Sequence, residues 1–217
     1  MKTEDLIASL AEDLRPVTRV RSPFLTTVLW FTVATATVCL AIVYFGPRED
    51  IAERFASGVD LPQLLAAAAT GILAAFAAFQ CALPDRDWRW SLLPMPAIAV
   101  WFATLGWGCV QDVMVSGPEA LRLTTSFQCI AFISALGLPL TIGILWLSRH
   151  AAPLRPVPVA ALCGLAASAL ASAGLSCIHY LNAAAMILVW HGLAVALVTA
   201  TAALIGPRFM QTRLMSR

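Results

Sequence analysis

The segment FLTTVLWFTVATATVCLAIVYF, residues 24–45, decides the class of fold because its 22 residues include no charged side chain. A helix of about 20 residues crosses the ~30 Å hydrocarbon core of a bilayer. The stretch LLAAAATGILAAFAAF, residues 64–79, has the same character. Strands of a membrane β-barrel would alternate in polarity and be about half as long. The two segments therefore predict membrane-spanning helices.

The composition of the whole chain agrees with this prediction. Of its 217 residues, 60% are hydrophobic and only 12% are charged, whereas soluble domains have about 45–50% and about 25%. The net charge of +2 is too small to indicate a nucleic-acid-binding protein, which needs a clustered basic face. We expect an all-α integral membrane protein whose partners include the lipid bilayer but no nucleic acid directly.

Six apolar segments are long enough to span a bilayer, and they lie at about residues 24–45, 61–83, 91–109, 129–147, 159–180 and 183–205. If the N-terminus is cytoplasmic, 11 of the 14 basic residues fall on the cytoplasmic side, and only Arg48, Arg54 and Arg122 fall outside. This asymmetry follows the positive-inside rule. We therefore expect both termini to be cytoplasmic.

The N-terminal stretch MKTEDLIASLAEDLRPV predicts a short amphipathic helix that ends before Pro16. Leu6, Leu10 and Leu14 recur every four residues and form one apolar stripe, with Ile7 beside them. The helix could pack on the bundle or on lipid, or it could bind a partner. Helices on a lipid surface usually have basic polar faces, but this one is acidic as far as Arg15, which favours a partner with a basic groove.

The residues expected to contact that partner combine the apolar stripe with nearby acidic side chains: Asp5, Leu6, Ile7, Leu10, Glu12, Asp13 and Leu14. The sequence then divides into three parts. Residues 1–22 form a cytoplasmic partner-binding segment, residues 23–206 a six-helix transmembrane domain, and residues 207–217 a basic cytoplasmic tail.

The six cysteines contain no Cys-x-x-C motif and no Cys/His cluster, so we expect no metal site, no cofactor and no catalytic residue. Cys39, Cys81 and Cys163 are interpreted as packing residues. Cys129 and Cys177 lie near the outer ends of their spans, where a packing role and a redox or metal-sensing role both stay open. His179 could join a soft-metal site with Cys177, or it could be an interface histidine.

Three stretches together resemble the NrsF-type anti-sigma factors: MKTEDLIASLAEDLRPV, SFQCIAFISALGLPLTIGILWLSRHAAPLRP and LSCIHYLNAAAMILVWHGLAVALVTATAALIGPR. The resemblance covers nearly the whole chain. It implies that the N-terminal segment holds an extracytoplasmic-function sigma factor at the bacterial inner membrane, away from RNA polymerase. It also implies that envelope metal or oxidative stress acts on paired periplasmic cysteines, which match Cys129 and Cys177. Many relatives carry a proline and acidic residues just after the second cysteine, where this chain has Ile178-His179-Tyr180.

Two other classes of protein are alternatives to this interpretation. A small transporter for a neutral solute would need a polar path, and Thr70, Gln80 and Ser134 are too scattered along the sequence to form one. A membrane thiol redox protein would usually have the Cys-x-x-C motif that is missing here. We therefore predict a regulator and not an enzyme.

Overall fold

The computed structural model describes residues 3–12, 21–56, 58, 60–148, 151, 153–178 and 184–211. Within these residues the chain forms eight α-helices, two short 3-10 turns and no β-strand. The α-helices are α1 (Thr3–Glu12), α2 (Pro23–Phe45), α3 (Ile51–Ala56), α4 (Leu61–Cys81), α5 (Met95–Ser116), α6 (Phe127–Leu147), α7 (Pro156–Ser176) and α8 (Ala184–Gln211). The predicted all-α fold is confirmed.

Six of these helices, α2 and α4 to α8, are long and apolar enough to cross a membrane. The number matches the prediction, and the bundle is compatible with a multi-pass membrane protein. Many large apolar side chains point away from the bundle; Val43 is 78% exposed and Leu204 is 75% exposed. Such a surface is unfavourable in water and suits an apolar surrounding.

The ends of the helices are set by prolines and glycines. Pro23 and Pro156 stand in the first turns of α2 and α7, where a missing N–H costs nothing. Gly117, with a φ of 74°, ends α5, because a residue with a side chain rarely adopts that conformation. Gly106 and Gly108 lie earlier in α5, but neither has a positive φ. The helix therefore continues seven residues beyond the predicted end of the third span at residue 109.

The other differences from the predicted segments are at helix ends. The fifth span was placed at residues 159–180, whereas α7 runs from Pro156 to Ser176. The sixth span was placed at residues 183–205, whereas α8 continues through Pro207 to Gln211. Apolar composition alone places such boundaries only approximately, because a helix can extend into its polar flanks.

The bundle has two ends. The near end is where α2, α5 and α7 begin, and the far end is where α4, α6 and α8 begin. At the far end, the Arg48 amide donates to the Cys177 carbonyl oxygen at 3.0 Å. At the near end, Gly206 of α8 packs against Ala160 of α7. The six long helices therefore run in alternating directions.

Helix α7 is the centre of the bundle and packs against α2, α4, α6 and α8. Fifteen of its 21 residues are buried, and most of them are Ala, Gly or Ser. Small residues let helix backbones approach closely. A Cβ atom added at Gly164 would lie 2.9 Å from the Thr199 Cα atom, and one at Gly174 would lie 2.5 Å from the Val38 Cγ1 atom.

Candidate functional site

The predicted N-terminal helix is present as α1. Its first turn holds Glu4 and Asp5, and no basic residue lies in its last turn. Carboxylates stabilise the positive N-terminal end of a helix dipole. Leu10 lies in α1, although its side chain is outside the description, and Asp13 and Leu14 lie outside the described residues.

Every α1 side chain whose exposure is described is exposed. Leu6 is 42% exposed and Ile7 is 61% exposed, so neither is covered by the bundle. Asp5 and Glu12 are exposed on the same short helix. An amphipathic helix with a free apolar face can dock into a hydrophobic groove of another protein. The exposed apolar and acidic side chains of α1 are therefore a candidate binding surface.

Cys129 lies in the first turn of α6 and is completely buried. It packs in a cluster with Ile133, Leu175 and Ala194. Its Sγ atom is 3.0 Å from the Ser126 Oγ atom. Its thiol therefore faces the interior of the far end, where a metal ion or an oxidant has no direct access.

Cys177 follows the last residue of α7 and is half-buried. Its Sγ atom donates to the Ala173 carbonyl oxygen at 3.6 Å. Burial raises the pKa of the Cys177 thiol; nearby Cys39 and Asp60 raise it further, and Arg48 lowers it. A thiol with a raised pKa holds less thiolate, the form that reacts and binds metals.

The two predicted sensing cysteines therefore have different surroundings. Cys129 packs with α7 and α8 side chains, whereas the residues that influence Cys177 come from α2 and the segment that follows it. All six cysteines are free thiols. Within the described residues, no three His, Cys, Asp or Glu side chains are grouped to hold a metal ion. His179 lies outside those residues.

Sequence reasoning missed a far-end ion cluster, which consists of Arg48, Asp50, Arg54 and Asp60. The Arg48 Nε atom donates to the Asp50 Oδ1 atom at 2.7 Å, and its Nη1 atom lies 3.8 Å from the Asp60 Oδ2 atom. Arg54 pairs with both carboxylate oxygens of Asp60: its Nε atom donates to Oδ2, and its Nη2 atom donates to Oδ1 at 2.7 Å. The Arg48 side chain is only 3% exposed. The cluster thus joins the two ends of the α2–α4 connection.

The electrostatics of the far-end ion cluster favour its charged forms. The hydrogen bond from Arg48 is the main cause that lowers the pKa of Asp50. The hydrogen bond to Asp60 raises the pKa of Arg54. The sequence signal for this cluster is two arginines and two aspartates within 13 residues between two spans. Sequence reasoning counted the arginines only as evidence of topology.

Further hydrogen bonds close the far end around α8. The Ala184 amide donates to the Asp112 Oδ2 atom at 2.8 Å, which ties the start of α8 to the end of α5. The Trp190 Nε1 atom donates to the Thr124 carbonyl oxygen at 2.9 Å. The far end therefore has two sets of bonds. The far-end ion cluster and the Arg48 amide link α2, α4 and α7, and the bonds of Asp112 and Trp190 link α5 and the segment after it to α8.

The described residues form an all-helical bundle with an exposed amphipathic helix, α1, before its first long helix. The family model described as NrsF, negative regulator of sigma F, matches residues 10–211. The chain belongs to this family, as its sequence resemblance predicted. Membership implies a negative regulator of a sigma factor, with a sigma factor as partner, and it suggests a regulatory role and not a catalytic one. Comparison with curated proteins and with solved structures finds no match.

Proposed function

We propose that this protein is a membrane-bound anti-sigma factor that sequesters an extracytoplasmic-function sigma factor through residues 1–22. The observation that carries the proposal is the exposure of Leu6 and Ile7 on α1. A regulator of a sigma factor needs a surface that the sigma factor can bind, and α1 offers apolar and acidic side chains together. The family match begins at Leu10 and so includes the C-terminal part of this segment.

The energetics of such docking suit reversible binding. Burying Leu6, Ile7, Leu10 and Leu14 in a groove would contribute on the order of 6–10 kcal/mol before costs. Association and side-chain ordering offset much of this. The carboxylates Asp5, Glu12 and Asp13 would face basic residues of the sigma factor, a protein that binds DNA phosphates.

The near end of the bundle faces the cytoplasm of the bacterial inner membrane in this proposal. The six apolar helices and the positions of the basic residues support it. Reporter fusions test it, with a phosphatase that works only in the periplasm placed after Gly117 and after Gln211. We expect activity from the first fusion and none from the second. The reverse pattern would contradict the proposed orientation.

The docking of α1 is tested by charge placed on its two faces. Leu6→Asp or Leu10→Asp puts a carboxylate on the apolar stripe and should release the sigma factor and raise expression of its regulon. Ala8→Asp adds the same charge about 200° around the helix from Leu6 and should leave repression intact. Regulon expression and protein level are measured together. Equal repression by all three variants at normal protein level would contradict docking through this stripe.

Co-purification gives a second test that does not depend on expression of the regulon. The intact protein should retain its sigma factor, and a protein without residues 1–22 should not. Retention after the deletion would move the binding surface to the bundle. A membrane transporter or thiol redox protein would co-purify with no sigma factor in either form.

We further propose that envelope metal or oxidative stress acts at Cys129 and Cys177, with His179 as a third sensing residue. The position of both cysteines at the far end supports this. The burial of Cys129 and the raised pKa of the Cys177 thiol mean that the signal must first loosen the far end. Both cysteines adjoin α7, whose near end begins beside Arg155. A shift of α7 would then act on the connection 148–158 and on α1.

Three single substitutions test this sensor. Cys129→Ser and Cys177→Ser should abolish induction by metal or oxidant while repression by α1 persists. Cys39→Ser is the control, because Cys39 is exposed and lies close to Cys177. If Cys39→Ser and Cys177→Ser abolish induction but Cys129→Ser does not, Cys39 replaces Cys129 in the sensor. If induction persists in all three variants, the cysteines are packing residues and the sensor proposal fails. The anti-sigma proposal is not affected by that result.

A further inference from the structure

A cavity of about 260 Å³ lies at the near end of the bundle, between the end of α4 and the start of α7. Arg86 and Arg155 line this near-end cavity together with Trp88, Ser91 and Leu154. Its volume is below the range of about 300–1,000 Å³ that is typical of sites for drug-sized ligands. The near-end cavity therefore suits one small polar group, and the two guanidinium groups indicate an anion.

The Arg155 guanidinium is held by an aromatic ring. Its Cζ atom lies 5.7 Å from the centroid of the Trp88 ring, a distance at which the cation is attracted to the ring face. Among the described residues, Arg155 forms no ion pair with a carboxylate. A stacked guanidinium keeps its N–H groups in a fixed fork, and this fork matches the oxygens of a phosphate.

The carboxylates nearby are paired with other groups. The Asp85 Oδ2 atom lies 3.9 Å from the Arg86 Nε atom, and such an exposed pair is weak. Asp87 lines the near-end cavity, but its Oδ1 atom accepts from the Arg89 amide at 2.9 Å and its Oδ2 atom lies 4.0 Å from the Arg89 Nε atom. The dipoles of α7, which starts here, and α4, which ends here, oppose each other. The arginines therefore decide the preference for an anion.

The surroundings of the near-end cavity place it at the level of lipid headgroups. Trp88 and Trp90 are exposed in the 3-10 turn Trp88–Leu92, and tryptophan is enriched at the membrane–water interface. The Trp90 ring packs edge-on against Phe76 of α4, with centroids 5.7 Å apart, so the turn is anchored to the bundle. Leu154 adds an exposed apolar side chain to the lining. Basic pockets of this kind between membrane helices bind phosphate headgroups.

We propose that the near-end cavity binds the phosphodiester headgroup of an anionic phospholipid of the phosphatidylglycerol class. The phosphate oxygens accept hydrogen bonds from the guanidinium groups of Arg155 and Arg86, and the acyl chains pass over Leu154. Phosphatidylethanolamine fits less well, because its ammonium group would lie beside two guanidinium groups. The site goes beyond the proposed function, since it requires a bilayer at the near end but requires no sigma factor.

The binding test uses the full chain in detergent with equal amounts of dioleoyl phosphatidylglycerol and dioleoyl phosphatidylethanolamine, and native mass spectrometry counts the bound lipids. We expect preferential binding of phosphatidylglycerol. Arg155→Gln should weaken this binding about three- to tenfold, as expected for lost hydrogen bonds to a charged group at a partly exposed site. Arg122→Gln is the matched control, because Arg122 lies on the surface at the far end and pairs with Glu119, and it should bind as the unchanged chain does.

Arg155→Lys separates a built site from general attraction of charge. Lysine keeps the positive charge but lacks the planar fork, so binding should be intermediate between the unchanged chain and Arg155→Gln. Full binding by Arg155→Lys would mean that any cation at this position suffices and would overturn the assigned site. Equal binding of the two lipids by the unchanged chain would overturn the proposal as well.

A second measurement needs no substitution. Cys81 lines the near-end cavity, so phosphatidylglycerol should slow alkylation of Cys81 by N-ethylmaleimide and phosphatidylethanolamine should not, with peptide mass spectrometry as the readout. Equal protection by an equal concentration of glycerol 3-phosphate would identify a site for a soluble phosphate and would overturn the lipid assignment. If Arg155→Gln binds lipid normally but loses the sigma factor on co-purification, the near-end cavity belongs to the sigma-factor interface and the lipid assignment is wrong.

Discussion

Helices α7 and α1 have opposite surroundings. Both are rich in Ala, Leu and Ser, yet 15 of 21 residues of α7 are buried, whereas all described side chains of α1 are exposed. Small residues cover every face of α7, so four helices approach it closely. In α1 the apolar residues form one stripe and the rest of the surface is polar. Packing is therefore concentrated around α7, and the described side chains of α1 take little part in it.

The largest change in stability is expected where the far-end ion cluster holds the end of α7. Arg48→Met removes a guanidinium that is only 3% exposed together with its ion pairs to Asp50 and Asp60, whereas Arg54 still pairs with Asp60. The free energy of unfolding should fall by about 3 kcal/mol, the upper end for hydrogen bonds to charged groups. Arg122→Met is the control, because Arg122 pairs with Glu119 on the surface and such pairs contribute about 0–1 kcal/mol. Denaturant unfolding in detergent measures both. Similar losses from both variants would mean that the far end does not restrain α7.

The next largest change is expected from close packing within the bundle. Gly164→Ala places a Cβ atom 2.9 Å from the Thr199 Cα atom of α8, and such overpacking typically costs about 1–3 kcal/mol. Gly143→Ala in α6 meets no atom within 4 Å and should stabilise by up to about 1 kcal/mol, because alanine favours helix. Thermal unfolding of the pair separates the two effects. If Gly164→Ala were stabilising, the space between α7 and α8 at this position would be large enough for a methyl group.

A smaller change is expected at α2, which lies at the edge of the bundle. The Trp30 Nε1 atom donates to the Leu140 carbonyl oxygen at 3.2 Å. Trp30→Phe removes this bond and should cost about 0.5–1.5 kcal/mol in addition to the smaller ring. Trp107→Phe serves as the comparison, because Trp107 is 62% exposed. Equal stability of the two variants would indicate that the hydrogen bond from Trp30 does not stabilise the packing of α2.

The smallest change in stability is expected in α1. Leu6→Asp should alter the free energy of unfolding of the bundle by less than about 0.5 kcal/mol, as is usual for surface positions, although it should release the sigma factor. Unfolding of the purified protein is compared with retention of the sigma factor. A loss above 1 kcal/mol would show that α1 packs on the bundle, and the contrast with α7 would disappear.

Much of the fold could be predicted from the sequence, but the candidate sites could be predicted only in part. Six uncharged segments determined the number of long helices, and the spacing of Leu6 and Leu10 predicted the short helix that became α1. The buried state of Arg48 could not be predicted, because a charge in a loop normally lies in water. Its partner Asp60 is 12 residues away, and only the path of the chain through α3 brings them together.

The all-helical membrane class of this protein, its family resemblance and the amphipathic pattern of its N-terminus could be predicted before the fold was known. These depend on composition, segment length and local spacing, which a chain carries before it folds. The central position of α7, the burial of Cys129 and the position of Cys177 near Cys39 and Arg48 depend on the tertiary structure. Side chains that face lipid and side chains that face other helices are equally apolar. Periodicity within a span therefore does not predict which helices pack against it.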